Sequence, residues 1–262
     1  MSRAEDPAPE STDAAAPTKP EAAASDEKID EVNDALELFK RQEFDKAATV
    51  LEGAAKKHPN LTPAPLIMFN WFLQANRGAD ARRWLEKAAA QLPNDPESYV
   101  IMGNIALQER RIAEAEVMYN KAQEHLKNFN KSAKRKQALE VQTISGLAAV
   151  AENREKWAAA QADLETLAKL VPNDPLTMQR LARAMFWQRN AVGALEKLRE
   201  AQKADKENRV VTPEATLGRL YEQFGDHANA VIWMNRALKA APKDLKTHLI
   251  VAHWDLETGQ VD

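Results

Sequence analysis

The chain has 262 residues, of which 44% are hydrophobic and 29% are charged, and its formal net charge is −3. It contains no cysteine, which excludes disulfides, thiolate metal sites and cysteine nucleophiles. A slightly negative charge gives no general attraction to nucleic acid or anionic lipid, and no apolar run approaches the roughly 18 residues that a membrane-spanning helix needs.

Residues 1–27 form an acidic segment rich in Ala and Pro. Such a stretch buries too little apolar surface to offset the entropy lost on ordering, so we expect it to be disordered. No apolar signal-peptide core follows the start, but Ser2-Arg3-Ala4 resembles the end of a cleavage site. Two locations therefore stay open, which are the cytoplasm and an exported state with the leader removed.

The rest of the chain repeats itself with a period near 34 residues. In each copy an alanine is followed four positions later by a large residue. A second alanine follows the first by seven positions in every copy but one, where Leu167 takes its place. This spacing is one stripe of a helix. The first alanines of the six copies are Ala47, Ala81, Ala115, Ala160, Ala194 and Ala230. Proline, which cannot continue a helix, follows twelve residues later in four copies, at Pro59, Pro93, Pro172 and Pro242.

A second helix is predicted before each alanine. In residues 211–225, Pro213 suits a first helical turn and Gly225 suits a left-handed residue at the helix end. Gly218 and its equivalent Gly103 lie in the middle of these helices, where a small residue lets two helices approach closely. Each repeat is therefore predicted to be a helix, a turn and a second helix.

This pattern resembles the tetratricopeptide repeat, with its best copy at Leu217, Gly218, Tyr221, Gly225, Ala230, Met234, Ala237 and Pro242. The resemblance implies an all-α fold, a right-handed superhelical solenoid of six helix pairs plus one further helix. The predicted full repeats are 28–61, 62–95, 96–129, 141–174, 175–208 and 211–244, with a half repeat at 245–262. An insertion at 130–140 interrupts the period.

A basic cluster lies in and before this insertion, at Lys127, Lys131, Lys134, Arg135 and Lys136. Because residues 127–137 contain no Pro or Gly, we predict one or two added helical turns. Two interpretations stay open for the cluster, namely a solvated helix extension and a patch for an acidic partner segment, RNA or lipid head groups.

Catalytic and metal-binding motifs are not found. The chain has no G-x-S-x-G, P-loop or G-x-G-x-x-G sequence, and its five histidines are scattered. We therefore predict that the protein is not an enzyme, that it uses no metal or other cofactor, and that it has no small-molecule substrate.

In the resembled family the first helices line a concave groove. The groove positions are Asn70, Gln74, Asn104, Gln108, Asn153, Gln179, Arg183, Phe186, Trp187, Arg219, Glu222 and Gln223. Amides suit an extended peptide backbone, and Arg183 and Arg219 suit carboxylates. The resemblance implies a scaffold for a peptide or partner protein, an acidic one in particular. The competing interpretation is that these positions are polar only because they are exposed.

Residues 245–258 match a first helix that is apolar nearly all round. A capping helix would carry a polar outer face. We therefore expect either that further repeats follow in the natural protein or that this end packs against another chain. Self-association through this end belongs to the alternative function, a structural component of an envelope or export complex that assembles through the ends of its array.

Overall fold

The computed structural model describes residues 29–259, and within that range it contains thirteen α-helices and no strand. The segment predicted to be disordered and the last three residues of the half repeat lie outside the described residues. The helices are α1 (Asp30–Lys40), α2 (Phe44–Lys57), α3 (Ala64–Gln74), α4 (Gly78–Gln91), α5 (Pro96–Gln108), α6 (Ile112–Leu126), α7 (Ala133–Asn153), α8 (Trp157–Leu170), α9 (Pro175–Trp187), α10 (Ala191–Ala204), α11 (Pro213–Gln223), α12 (His227–Ala240) and α13 (Leu245–Thr258).

The helices pack as consecutive antiparallel neighbours, α1 with α2, α3 with α4, α5 with α6, α9 with α10 and α11 with α12. Helix α13 packs on α11 and α12. The chain forms two compact units, one ending at Thr143 and the other beginning at Ile144. No helix of the described range has the length and apolar character that crossing a membrane would require. The predicted all-α helical-repeat fold is confirmed.

The periodic stripe forms the core of each pair. The first alanine of the stripe is fully buried in all six copies, and the large residue four positions later is at most 2% exposed. These large residues are Leu51, Leu85, Tyr119, Leu164, Leu198 and Met234. Because the alanines project so little, the two helices of a pair can come close enough for the large residue to fill the space between them.

Two glycines mark the closest approaches. A Cβ at Gly103 would lie 2.8 Å from the Tyr119 ring, and one at Gly218 would lie 2.9 Å from the Met234 sulfur. Real side chains do not make contacts this short, so a Cβ at either position would require the facing side chain to move. The predicted close approach is confirmed at both places.

A residue in the left-handed conformation follows each first helix. The seven residues have φ between 55° and 82° and are Gln42, Asn76, Arg110, Glu155, Arg189, Gly225 and Gly259. The left-handed turn predicted at Gly225 is confirmed. Only two of the seven are glycine, although other residues adopt this conformation at a cost of about 1–2 kcal/mol. The packing of the two helices therefore determines the left-handed conformation of the turn residue, and the type of residue at that position does not.

Helix α7 contains the added residues. It has 21 residues, whereas the other first helices have between 11 and 14, so the predicted extra turns are present at its start. The remaining added residues form the non-helical connection 127–132.

Arg135 differs from the lysines of the basic cluster. Its side chain is buried against the Phe129 ring, and its guanidinium binds Asp95 at 2.7 Å and Glu97 at 2.5 Å. Burial raises the pKa of Glu97, while the Arg135 charge opposes that shift. A buried charge needs partners of opposite sign, and Arg135 has two, so it fixes the start of α7 on α5. The cluster is thus neither wholly solvated nor a continuous surface patch.

Candidate functional site

Four of the predicted groove residues lie on α3 and α5. Gln74 and Gln108 are exposed, whereas Asn70 and Asn104 are half-buried. Asn104 accepts a hydrogen bond of 2.6 Å from the Tyr119 hydroxyl, which ties α5 to α6. The exposed glutamines are available to a ligand, and Asn104 already has an internal partner.

Two more predicted residues also hold the fold together. Asn153, the last residue of α7, donates to the Ala149 carbonyl of its own helix at 2.8 Å. Glu222 accepts a 2.9 Å hydrogen bond from the Trp254 indole and lies 2.9 Å from a ring nitrogen of His227. Glu222 therefore anchors α13 to α11.

The amides of α9 and α11 are better placed for binding. Gln179 is half-buried, and its amide lies 3.5 Å from the Thr216 hydroxyl, a long contact that is easily exchanged. Gln223 is exposed. Phe186 is 5% exposed and packs with Tyr221, so the expectation that it lines a groove is wrong. Its ring belongs to the core of α9–α11.

Arg183, Trp187 and Arg219 form the centre of the candidate site together with Trp157, the first residue of α8. The Trp157 and Trp187 rings stack with centroids 5.4 Å apart and an interplanar angle of 11°. The Arg183 guanidinium carbon lies 5.6 Å from the Trp157 centroid, over the ring. We call these four residues the arginine–tryptophan site.

Positive charge exceeds negative charge at this site. Arg180 binds Glu152 at 2.7 Å and also the Ser145 hydroxyl at 3.0 Å. Among the described residues, neither Arg183 nor Arg219 forms an ion pair with a carboxylate. Burial lowers the pKa of Arg183, Glu152 opposes that shift, and the charges of Arg219 and Arg180 add to it. The surroundings of Arg183 therefore contain two further guanidiniums and one carboxylate, and Arg180 already binds that carboxylate.

Two buried donors of the site have no hydrogen-bond partner within the described range. They are Arg183 Nε and Trp187 Nε1. Buried polar groups are nearly always satisfied, because leaving one unsatisfied costs about 1–3 kcal/mol. Arg183 is thus held in place by its contact with the Trp157 ring and by packing rather than by hydrogen bonds, and no carboxylate of the described residues pairs with it.

Sequence reasoning missed the aromatic extension of the site. Phe224 is 37% exposed, its ring lies 6.0 Å from that of Trp187, and the Arg189 guanidinium lies over it at 4.1 Å. The signal was the aromatic residue directly after α11 in a chain with few aromatics. Among the described residues no group of three or more His, Asp or Glu side chains is arranged to hold a metal ion.

Comparisons with known proteins match this architecture. Two sequence models described as tetratricopeptide repeat match residues 38–105 and 215–244. Among curated proteins, no sequence matches the chain significantly.

Several solved structures share the fold. PilF of Pseudomonas aeruginosa is 18% identical, with a TM-score of 0.52 over 86% of this chain and 96% of that one. PilW, described as a widely conserved type IV pilus biogenesis factor, is 15% identical, with a TM-score of 0.52 over 84% and 96%. YrrB, described as a TPR protein with an unusual peptide-binding site, is 16% identical, with a TM-score of 0.55 over 79% and 98%.

These similarities agree with the helix pairs, the buried small–large–small stripes and the close approaches at Gly103 and Gly218. Repeats of this kind stack short helix pairs and expose one row of first helices, an architecture that supports a protein-interaction scaffold. The two matched segments, together with the all-α helical-repeat fold, support a tetratricopeptide repeat protein.

Proposed function

We propose that this protein is a non-enzymatic scaffold that holds an acidic, extended segment of a partner protein at the arginine–tryptophan site. The observation that carries the proposal is the uncompensated pair Arg183 and Arg219. Arg183 is largely withdrawn from water, its pKa is lowered by burial, and no carboxylate pairs with either guanidinium among the described residues.

An incoming carboxylate would supply the partner that Arg183 and Arg219 do not have among the described residues. A guanidinium can donate two parallel hydrogen bonds to one carboxylate, and such charge-assisted bonds are about twice as strong as neutral ones. Contact with the Trp157 ring and partial burial restrict the Arg183 side chain, so less side-chain entropy is lost when a ligand binds. Because the site is partly desolvated, the attraction is screened less than at an open surface.

The neighbouring residues suit the rest of a peptide. The Gln179 and Gln223 amides can both donate to and accept from a peptide backbone. Phe224 offers an exposed ring edge beside Trp187 for an apolar side chain. The description of the similar YrrB structure, a TPR protein with a peptide-binding site, is in keeping with a peptide ligand.

Fluorescence anisotropy tests the proposal with two labelled peptides of equal length, one of alternating Glu and Ser and one with Gln in place of Glu. We expect the wild-type chain to bind the acidic peptide more tightly and to lose that binding as salt is raised. The double variant Arg183→Gln with Arg219→Gln should weaken binding about tenfold or more, because both charged contacts are lost.

The matched control is Arg82→Gln with Arg83→Gln, which removes the same charge from exposed positions on α4. It should leave the dissociation constant within about twofold of wild type. Equal weakening by the two double variants, or equal binding of the two peptides, would contradict a specific site. Circular dichroism melts of every variant separate lost binding from lost folding.

A further inference from the structure

Helix α13 has one face anchored in the fold. Thr247, Val251 and Trp254 are buried, and the Trp254 indole donates to Glu222 of α11 at 2.9 Å. Asp244 caps the helix by accepting from the Thr247 backbone N–H at 2.9 Å. This face fixes both the position and the rotation of α13.

The opposite face is an apolar stripe left open to solvent. Leu245, Leu249 and Leu256 are 70%, 60% and 67% exposed, and Ala252 between them is also exposed. We call these four residues the α13 stripe. The other large hydrophobic side chains that are exposed in the described range lie singly on α3, α6, α10, α12 and just after α11. The α13 stripe is therefore a concentrated surface and not a scatter of single residues.

The repeat pattern says what kind of surface this is. By the register of the repeat, Ala252 occupies the position held by Gly103 on α5 and by Gly218 on α11. At those two positions the face of the first helix is covered by its paired helix, through Tyr119 of α6 and Met234 of α12. The α13 stripe is thus a face built to receive another helix.

We infer that the α13 stripe is a homodimer interface, covered by the same helix of a second copy of this chain running antiparallel to it. The four residues follow one another at spacings of four, three and four, which is the a/d pattern of a coiled coil. This order is the same in both directions. An antiparallel pair therefore places Leu245 against Leu256 of the second copy, and Leu249 against Ala252 of the second copy, twice each.

The charges beside the stripe are compatible with that arrangement. In this register Lys246 lies opposite His253 of the second copy, and Asp255 lies opposite His248 of the second copy. No two residues of the same fixed charge face each other. Such an interface is isologous, so it closes after two copies and predicts a dimer rather than a filament. With three leucines per copy it is smaller than a standard interface, and we expect a weak dimer with a micromolar dissociation constant.

Light scattering coupled to size exclusion tests the proposal on the full chain, from low to high micromolar concentration. We expect the mass to rise from monomer to dimer and to stop there. Leu249→Glu should keep the chain monomeric, with at least about a tenfold increase in the dissociation constant. The matched control is Val192→Glu on α10, a single residue that is 73% exposed against 60% for Leu249, and it should leave the dimer unchanged.

Cysteine cross-linking tests the register, and the absence of native cysteine makes each single variant clean. The Ala252→Cys positions of the two copies are offset along the axis by only about 4–5 Å, whereas those of Leu245→Cys are about 16 Å apart. A short bismaleimide should therefore join two copies of the Ala252→Cys variant covalently and leave the Leu245→Cys variant without a cross-link.

Three results would overturn the inference: a monomer at every concentration, masses beyond the dimer, or equal cross-linking of the two cysteine variants. None of them bears on the proposed peptide site, because the anisotropy experiment uses residues on α9 and α11. Conversely, Leu249→Glu should bind the acidic peptide as wild type does. The two proposals therefore succeed or fail separately.

Discussion

Arg135 and Arg183 both lie on first helices and both are largely withdrawn from water, but among the described residues only Arg135 has carboxylate partners. Arg135 contacts Asp95 and Glu97, whereas Arg183 lies over the Trp157 ring and forms no ion pair within the described range. The first arginine is part of the packing of its unit. The second carries a charge that no carboxylate of residues 29–259 pairs with.

The two regions also differ in how rigid the side chain is that faces their buried glycine. Gly103 faces the rigid Tyr119 ring, whose hydroxyl is held by Asn104, while Gly218 faces the flexible side chain of Met234. The region around α5 and the start of α7 is thus closely fitted and its buried arginine is paired, although Asp95 Oδ2 and Ser98 Oγ have no hydrogen-bond partner among the described residues. The region around α9 and α11 has softer packing and unsatisfied donors, as a surface that adapts to a partner would.

The largest expected effect on the free energy of unfolding comes from removing Arg135, the arginine that is paired within the chain. Arg135→Met should lower the free energy of unfolding by about 3–5 kcal/mol, because it leaves Asp95 and Glu97 buried without a counter-charge. Chemical denaturation followed by circular dichroism measures this. The control Lys131→Met removes a charge from an exposed position of the same segment and should change stability by less than about 0.5 kcal/mol. A loss equally small for both variants would mean that the ion pairs do not stabilise α7.

An intermediate effect is expected at the glycines. Gly103→Ala should cost about 1–3 kcal/mol of stability, since the added methyl would overlap a ring that cannot bend away. Gly218→Ala should be close to neutral, because Met234 can change rotamer and alanine favours the helix by about 1 kcal/mol. Thermal melts of the two variants give the comparison directly. Equal destabilisation would contradict the difference in rigidity between the two regions.

The smallest expected change has the opposite sign. Arg183→Met keeps the apolar packing but removes a poorly solvated, unpaired charge, so the free energy of unfolding should rise by about 1 kcal/mol. Arg219→Met, at an exposed position, should leave stability unchanged within about 0.5 kcal/mol. If Arg183→Met were destabilising instead, Arg183 would have to be a structural residue like Arg135.

The sequence predicts the fold well because the fold depends on local spacing. The alanine stripe, the small residues at Gly103 and Gly218 and the left-handed turn at Gly225 each follow from the geometry of two packed helices. The helix count and the added turns of α7 follow from the same period. Nothing in that reasoning depends on contacts between distant residues.

The candidate site is less predictable because it does depend on such contacts. Arg135 belongs by sequence to a run of lysines, and only its contacts with residues about 40 positions earlier show that it is buried. Glu222 looks like an exposed groove residue until Trp254 is placed beside it. Periodicity identifies the row on which a side chain lies, but the tertiary structure decides whether that side chain is already used.

The turns after the first helices have a consequence for engineering. Five of the seven left-handed positions carry a residue other than glycine, among them Arg110 and Glu155. Each such residue holds strain that glycine would relieve, and the turns lie well apart along the chain. The gains should therefore be nearly additive, apart from Arg189, whose guanidinium also stacks on Phe224. The protein thus contains a set of independent sites at which its thermal tolerance can be raised stepwise, with the arginine–tryptophan site and the α13 stripe left untouched.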